Sequence, residues 1–211
     1  CKKLIEAAER AGYQPALLNV GGGQQVLATG VRNGSRRMTD DAALAQRIFE
    51  RIQTALPQSF AGHPLVGLNE RLRFLKYEPG QYFKPHQDGT YQREDGPRRG
   101  ERSYLTVLLY LNEGYTGGAT TFSSMSGHHS VAVQPETGMV LVHRHDIVHE
   151  SPSIEDGVKH VIRTDVMYGA AMREGIVICG DCGEAVPQHK MVTIQSSSSL
   201  KCNACAEDYA V

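Results

Sequence analysis

The chain has 211 residues, of which 40% are hydrophobic and 21% charged, with a formal charge of −1 at neutral pH, so it can bury one good core and has room for a small appendage. A balance this close to neutrality gives no global pull toward nucleic acid or a membrane surface; no run approaches the ~18 apolar residues of a membrane span, and no signal peptide is visible. The chain begins at Cys1 rather than Met, which leaves the targeting question open.

In chain order, residues 1–12 place Leu4, Ile5, Ala7, Ala8 and Ala11 among charges, an amphipathic helix that Gly12 ends. It is expected to pack on the outside of a sheet. Residues 13–20 read as a strand, Gly21, Gly22 and Gly23 as a flexible break, and 26–28 as another short apolar run. The basic segment 32–37 is turn-forming; it reads as a solvated loop or as a substrate-facing edge. Thr39 or Asp40 can cap a helix over 41–56, whose stripe includes Leu44, Ala45, Ile48, Phe49 and Ile52, and Pro57 stops it. His63 reads as a loop histidine.

From Arg71 the pattern changes to short β-type segments divided by turns: 71–78, 103–112, 119–123, 129–133, 138–143, 146–150 and 158–168. Such a series marks a β-sandwich or barrel, so the fold class is mainly β with flanking helices. Between Asp88 and Ser103 lies a charged, glycine-rich loop, 89–102, of a length typical of functional lids or mobile loops. Its Arg98 and Arg99 can meet an acidic partner, though Glu94, Asp95 and Glu101 largely offset them.

Residues 173–211 carry two pairs, Cys179-x-x-Cys182 and Cys202-x-x-Cys205, nineteen residues apart. That spacing suits a four-thiolate zinc site far better than a disulfide framework. Each pair can sit on a knuckle turn, and a piece this small needs the metal to fold. Four protein ligands close the coordination sphere, so the expected zinc is structural. Free thiolates of this kind imply a reducing, intracellular compartment, cytoplasmic or nuclear. The module's Arg173, Lys190 and Lys201 face five acidic residues, which weighs against nucleic acid and favours a docking or tethering role toward a protein partner.

Chemistry gathers at His86 and Asp88. On an extended segment residues two apart leave the same face and can grip one ion, and two histidines with one carboxylate suit ferrous iron because the triad leaves positions open. The third ligand must come from elsewhere, with His143, His145 and His149 all near one another. His128, His129 and His160 read as structural. Alone, His-x-Asp is a weak signal.

It does not stand alone. Arg73-Phe74-Leu75-Lys76-Tyr77-Glu78-Pro79-Gly80 through His86-Gln87-Asp88 resembles the iron-binding segment of prolyl 4-hydroxylases among the 2-oxoglutarate and Fe(II)-dependent dioxygenases. So do 106–112 followed by Gly117-Gly118-Ala119-Thr120-Thr121-Phe122, and His149-Glu150 with Lys159 ten residues on, then 163–168. The resemblance covers roughly 65–168. It implies a double-stranded β-helix, or jelly-roll, with His86, Asp88 and His149 as iron ligands and Lys159 as the cation for the distal carboxylate of 2-oxoglutarate. Arg163 shares the face of Lys159 and competes for that role, or pairs with Asp165. Tyr77 and Tyr110 stand where similar hydroxylases place tyrosines near the co-substrate, and Thr106 and Leu108 share the face of Tyr110. The division expected is 1–60 as N-terminal support, 61–172 as the dioxygenase core and 173–211 as a zinc-ribbon-like module.

The resemblance further implies O₂ as co-substrate, ascorbate as reductant, release of succinate and CO₂, and a protein or peptide substrate with proline first. Asp88 favours hydroxylation, because related halogenases carry a small residue there. The competing readings are a related dioxygenase acting on nucleic acid or a small molecule, and a non-catalytic jelly-roll binding module.

Overall fold

Two amphipathic helices and two main β-sheets account for residues 1–60 and 64–170 in a computed structural model of the chain. The structure describes residues 1–21, 24–124, 126 and 128–170, together with four short strands beyond them. A second unit comprises 61–63 and 171–211; in it Ile176–Ile178 pairs with Ala185–Pro187, and Met191–Thr193 with Leu200–Cys202, both antiparallel. The expected zinc ligands Cys179, Cys182 and Cys205 lie outside the described residues, as do the side chain of Cys202 and His189.

Helix α1 spans Lys2–Ala11 and ends at Gly12, whose φ of 79° is costly for a side-chain-bearing residue. Strands β1 (Gln14–Pro15), β2 (Leu18–Gly21), β3 (Gln24–Val26) and β4 (Ser35–Asp40) follow, then α2 (Ala42–Ile52), β5 (Ser59–Phe60), β6 (His63–Leu68) and β7 (Arg71–Tyr77). The remainder is β8 (Phe83–His86), β9 (Arg102–Tyr110), β10 (Thr116–Gly117), β11 (Thr120–Ser123), β12 (Ser130–Val133), β13 (Val140–Arg144), β14 (His149–Ser151), β15 (Ile154–Asp156) and β16 (Lys159–Tyr168). Of the expected strands, β7, β9, β11, β12, β13 and β16 fall within a residue or two of their expected positions, and β14 starts three residues late; β8, β10 and β15 lie outside the expected series.

The large sheet runs β1-β4-β7-β16, with β9 and then β13 on the far side of β16 and β6 and β5 bonded to its C-terminal half. The small sheet runs β12-β11-β14-β8. Alternation with period two sorts the side chains of the large sheet. Leu72, Phe74, Leu105, Val107, Ile162 and Val166 face the helices, where Ala8, Leu44, Ala45 and Ile48 cover them. Leu75, Tyr77, Leu108, Tyr110 and Val161 form a second cluster on the opposite face. Each such aliphatic or aromatic side chain, once buried, contributes roughly 1.5–3 kcal/mol. The second cluster matters for chemistry, because it backs a cavity whose far wall is the small sheet.

Three N-terminal expectations need correction. Residues 13–20 form two short strands, since Pro15 has no N–H to extend the ladder and Ala16 turns its N–H to Gly34. Thr39 and Asp40 belong to β4, so α2 is capped one residue later: the Asp41 carboxylate accepts from the Leu44 N–H at 2.8 Å. The basic segment 32–37 is a loop only as far as Gly34; from Ser35 it is the strand that completes the edge of β7.

Candidate active site

His86 ends β8 and His149 opens β14, and the antiparallel pairing of those strands sets the two residues directly opposite each other. Asp88, two residues past His86, is tethered by its backbone N–H to the His145 carbonyl. The ligand-capable atoms of His86, Asp88 and His149 all lie within 4.8 Å of one another.

The donor set suits a metal. His86 Nδ1 is 2.8 Å from the Lys84 carbonyl and His149 Nδ1 is 3.0 Å from the Ile147 carbonyl. A carbonyl only accepts, so each ring carries its proton on Nδ1 and offers the Nε2 lone pair to the site. Burial, and then the neighbouring His149, push the His86 imidazole down to about 4, so it is neutral and ready to coordinate at pH 7. Phe83 stacks on His86 with ring centroids 3.5 Å apart and fixes its plane. Burial raises the Asp88 carboxyl, but Arg163 and then the Thr106 hydroxyl overcome that and hold it well below the usual carboxylate range. Two imidazoles and one carboxylate with room around them are the ligand set that ferrous iron takes.

The alternative histidines resolve by geometry. His143 reaches toward the site from β13, its Nε2 3.9 Å from Asp88 and without a hydrogen-bond partner among the described residues, but it is not one of the three mutually close groups. His145 is spent on a polar relay. Its Nδ1 lies 3.0 Å from Thr106 Oγ1 and its Nε2 3.0 Å from Ser103 Oγ. Because Thr106 gives its only proton to Asp88 Oδ2 at 2.5 Å, His145 must donate to Thr106 and accept from Ser103. The relay therefore ends on the carboxylate.

Lys159 opens β16 on the inward face and is 3% exposed. Its ammonium donates to the Gly118 carbonyl at 2.6 Å and to Ser151 Oγ at 3.1 Å, and stands over the rings of Tyr77 and Tyr110. No carboxylate pairs with it among the described residues, and burial brings it down to about 7. A buried ammonium without an anion is a vacant seat for one. Tyr110 bonds Thr120 at 2.6 Å beside it. Gly117 and Gly118 have φ of 75° and 61°, as the tight turn expected there requires.

A cavity of about 690 Å³ joins these elements, lined by His86, Asp88, His149, Lys159, Leu75 and Leu108 among others. Arg163 lies within it but serves Asp88 and Asp165, at 3.2 Å and 3.1 Å. The pairing with Asp165 expected from sequence is present; the contact with Asp88 is an addition to it. Loop 89–102 is neither free lid nor loose end: Arg93 grips Glu70 through both terminal nitrogens and Glu101 through Nε, and Arg98 joins Glu70. Arg32 and Arg36, from the basic segment that reads as a solvated loop or a substrate-facing edge, also reach the cavity. His160 bonds Glu9 of α1, and His128 and His129 are exposed.

Residues 72–164 match the family described as the 2OG-Fe(II) oxygenase superfamily. Over 132 residues the chain is 27% identical to a probable prolyl 4-hydroxylase 10 of Arabidopsis thaliana, covering 62% of this chain and 43% of that protein. Among solved structures it is similar to a Pseudomonas putida prolyl-4-hydroxylase, with a TM-score of 0.56, 19% identity and coverage of 78% of this chain and 82% of that one. It is also similar to a Trichoplax adhaerens prolyl hydroxylase solved with a peptide fragment of the hypoxia inducible factor oxygen degradation domain, with a TM-score of 0.59, 14% identity and coverage of 80% and 75%. At such identities the structures speak for the fold, a jelly-roll shared with prolyl 4-hydroxylases. The chain spans less than half the length of the curated relatives it matches.

Proposed function

We propose, with the likeness of residues 72–164 to prolyl 4-hydroxylase-like 2OG-Fe(II) oxygenases as the premise, that the protein is an Fe(II)- and 2-oxoglutarate-dependent dioxygenase. Its reaction would hydroxylate a C–H bond of a protein or peptide side chain, proline first. The observation that carries this reading is one cavity holding both the triad His86, Asp88 and His149 and the buried ammonium of Lys159, which pairs with no carboxylate among the described residues. When bound, ferrous iron with 2-oxoglutarate supplies the activation of O₂ and the oxidative decarboxylation to succinate and CO₂ that drives hydroxylation, with ascorbate as external reductant.

The protein's own work is positioning and exclusion. His86 and His149 present Nε2, and the Ser103-His145-Thr106 relay turns the Asp88 carboxylate toward them. Lys159, helped by Ser151, would hold the distal carboxylate of 2-oxoglutarate, and Tyr77, Tyr110 and Thr120 would frame it. Leu75, Leu108 and Val161 keep that end of the cavity dry, where the low dielectric strengthens the charge pairing. The four cysteines form a separate part of the proposal. Their spacing supports a structural zinc that tethers a partner or substrate and takes no part in the reaction.

The test is succinate production from 2-oxoglutarate by the purified protein with ferrous iron and ascorbate. Turnover that His86→Ala abolishes, and that Lys159→Ala moves to higher 2-oxoglutarate concentration, supports the reading. Folded protein that binds no iron and makes no succinate overturns it and leaves the binding-module reading.

A further inference from the structure

Five cationic side chains, Arg32, Arg36, Arg73, Lys159 and Arg163, line the cavity against three carboxylates, Asp88, Glu150 and Asp165. The proposed cofactor and co-substrate account for Asp88 and Lys159, and Asp165 pairs with both Arg73 and Arg163. Arg32 and Arg36 are left over. Neither pairs with a carboxylate among the described residues.

Arg32 is the sharper case. It is 7% exposed, its guanidinium carbon lies 4.5 Å over the Phe83 ring, and its Nη2 donates to the Tyr77 hydroxyl at 3.3 Å. Its buried Nε has no partner among the described residues. An unsatisfied donor on a buried cation costs free energy that a native fold recovers only through a ligand or water. Phe83 is the ring stacked on His86, so this donor stands next to the metal centre. Arg36 holds its guanidinium between the Leu17 carbonyl and Gln25 Oε1, at 3.3 Å and 3.0 Å, joining β4 to the β2–β3 hairpin. Burial first, and then Arg32, Arg73 and Arg163, depress Arg36 from the ordinary guanidinium range. Arg32 and Arg36 thus sit among like charges, and unlike Arg73 and Arg163 neither has a carboxylate partner among the described residues.

We propose that Arg32 and Arg36, with Arg73, form an anion subsite that receives a carboxylate of the primary substrate beside the metal centre. A planar, bidentate guanidinium suits a carboxylate better than a neutral amide. The substrate class is therefore an acid: a proline-containing peptide with Asp or Glu next to the target, or a free amino acid presenting its own α-carboxylate. This rests on the dioxygenase reading above and sharpens its substrate.

The test uses the full chain with ferrous iron, ascorbate and saturating 2-oxoglutarate, and measures kcat/KM for a short Asp-Pro peptide, its Asn-Pro counterpart, free L-proline and L-prolinamide. A charge-assisted contact of this kind gives about tenfold or more preference for the acid of a pair. The expected result is such a preference in the wild type, for the peptide pair or the amino-acid pair, falling toward one in Arg32→Gln and kept in part by Arg36→Lys. Which pair shows it identifies the source of the carboxylate. Because the readout is a ratio within each variant, partial loss of fold does not mimic it. A wild type without preference, or a preference that survives Arg32→Gln, overturns the subsite, while succinate made without any substrate keeps the enzyme reading standing.

Discussion

Arg163 Nη2 lies 3.2 Å from Asp88 Oδ1 and 3.1 Å from Asp165 Oδ1, so a single guanidinium joins a candidate metal ligand to a carboxylate that is 1% exposed. The pair with Asp165 is close but off the hydrogen-bonding line, for Asp165 Oδ1 and Arg163 Nε both lack hydrogen-bond partners among the described residues. It acts through charge, and Arg73 supplies the second cation at 3.3 Å. Removing one partner of a buried pair strands the other, a loss of about 3–5 kcal/mol. Arg163→Leu is expected to destabilise by that order in urea unfolding, and Arg163→Leu/Asp165→Leu to recover a good part of it. A double variant no better than the single would show that Asp165 is not the stranded charge.

Lys159 gives a pH signature. Burial has brought it to about 7 from the ordinary 10.5. A folded-state value below the unfolded one means that the empty protein gains stability as pH rises from about 7 toward 10.5 and carries the full burial penalty below 7. A bound dicarboxylate reverses the preference and holds the proton on the ammonium. Calorimetric titration of 2-oxoglutarate into the Mn(II)-loaded protein should show proton uptake and a weakening Kd above about pH 7, both lost in Lys159→Arg. Binding without proton uptake would place the dicarboxylate elsewhere.

The loop after the metal segment is fastened by Glu70. Hydrogen bonding from Arg93, the largest influence, brings that carboxyl down to about 2. Its stabilising contribution is present above the ordinary value near 4.5 and is lost as pH falls from there toward 2. Glu70→Gln should flatten the acid side of the stability curve and cost roughly 1–3 kcal/mol at neutral pH. It should also speed tryptic cleavage after Arg98 and Arg99; unchanged cleavage would mean that the rest of the loop holds itself.

A methyl group at Gly118 would sit 2.1 Å from Ile154 Cδ1, on backbone at φ 61°. Its carbonyl is the acceptor for Lys159. Gly118→Ala is therefore expected to lose stability and to weaken 2-oxoglutarate affinity together, both read in one calorimetric titration, whereas Gly138→Ala, where only Cys1 comes within 3.9 Å of the added atom, should leave that affinity in place.

For the C-terminal cysteines, the expected metal content is one zinc per chain, absent in Cys179→Ser. Succinate production should survive that change. Loss of both would mean that the zinc module supports the catalytic unit.

Much of this was legible in the residues. Alternation along 71–77, 102–110 and 159–168 announces which side chains face inward, and it set Lys159, Val161, Arg163 and Asp165 on one face as observed. His86-x-Asp88 and His149 are local patterns, and strand pairing only had to bring them together. What could not be read depends on distant partners. Ser35–Asp40 carries Arg36 and Arg37 beside turn formers and becomes a strand because the edge of β7 takes it up. Asp41, rather than Asp40 or Thr39, caps α2 because that strand claims the other two. The contact of Arg163 with Asp88 crosses from one sheet to the end of the other, and no spacing in the chain encodes it.

Strand β16 is bonded to β7 on one edge and to β9 on the other, so that Val161 lies opposite both Leu75 and Tyr110. Every candidate iron ligand precedes it in the chain. Pairing across such separations is slow to form, and a ribosome-bound chain that has exposed residues up to 158 already displays His86, Asp88 and His149 without the seam that joins the wall behind them. Synthesis order thus delays the pocket: the candidate iron ligands emerge first, and the strand that carries Lys159 closes the structure around them afterwards.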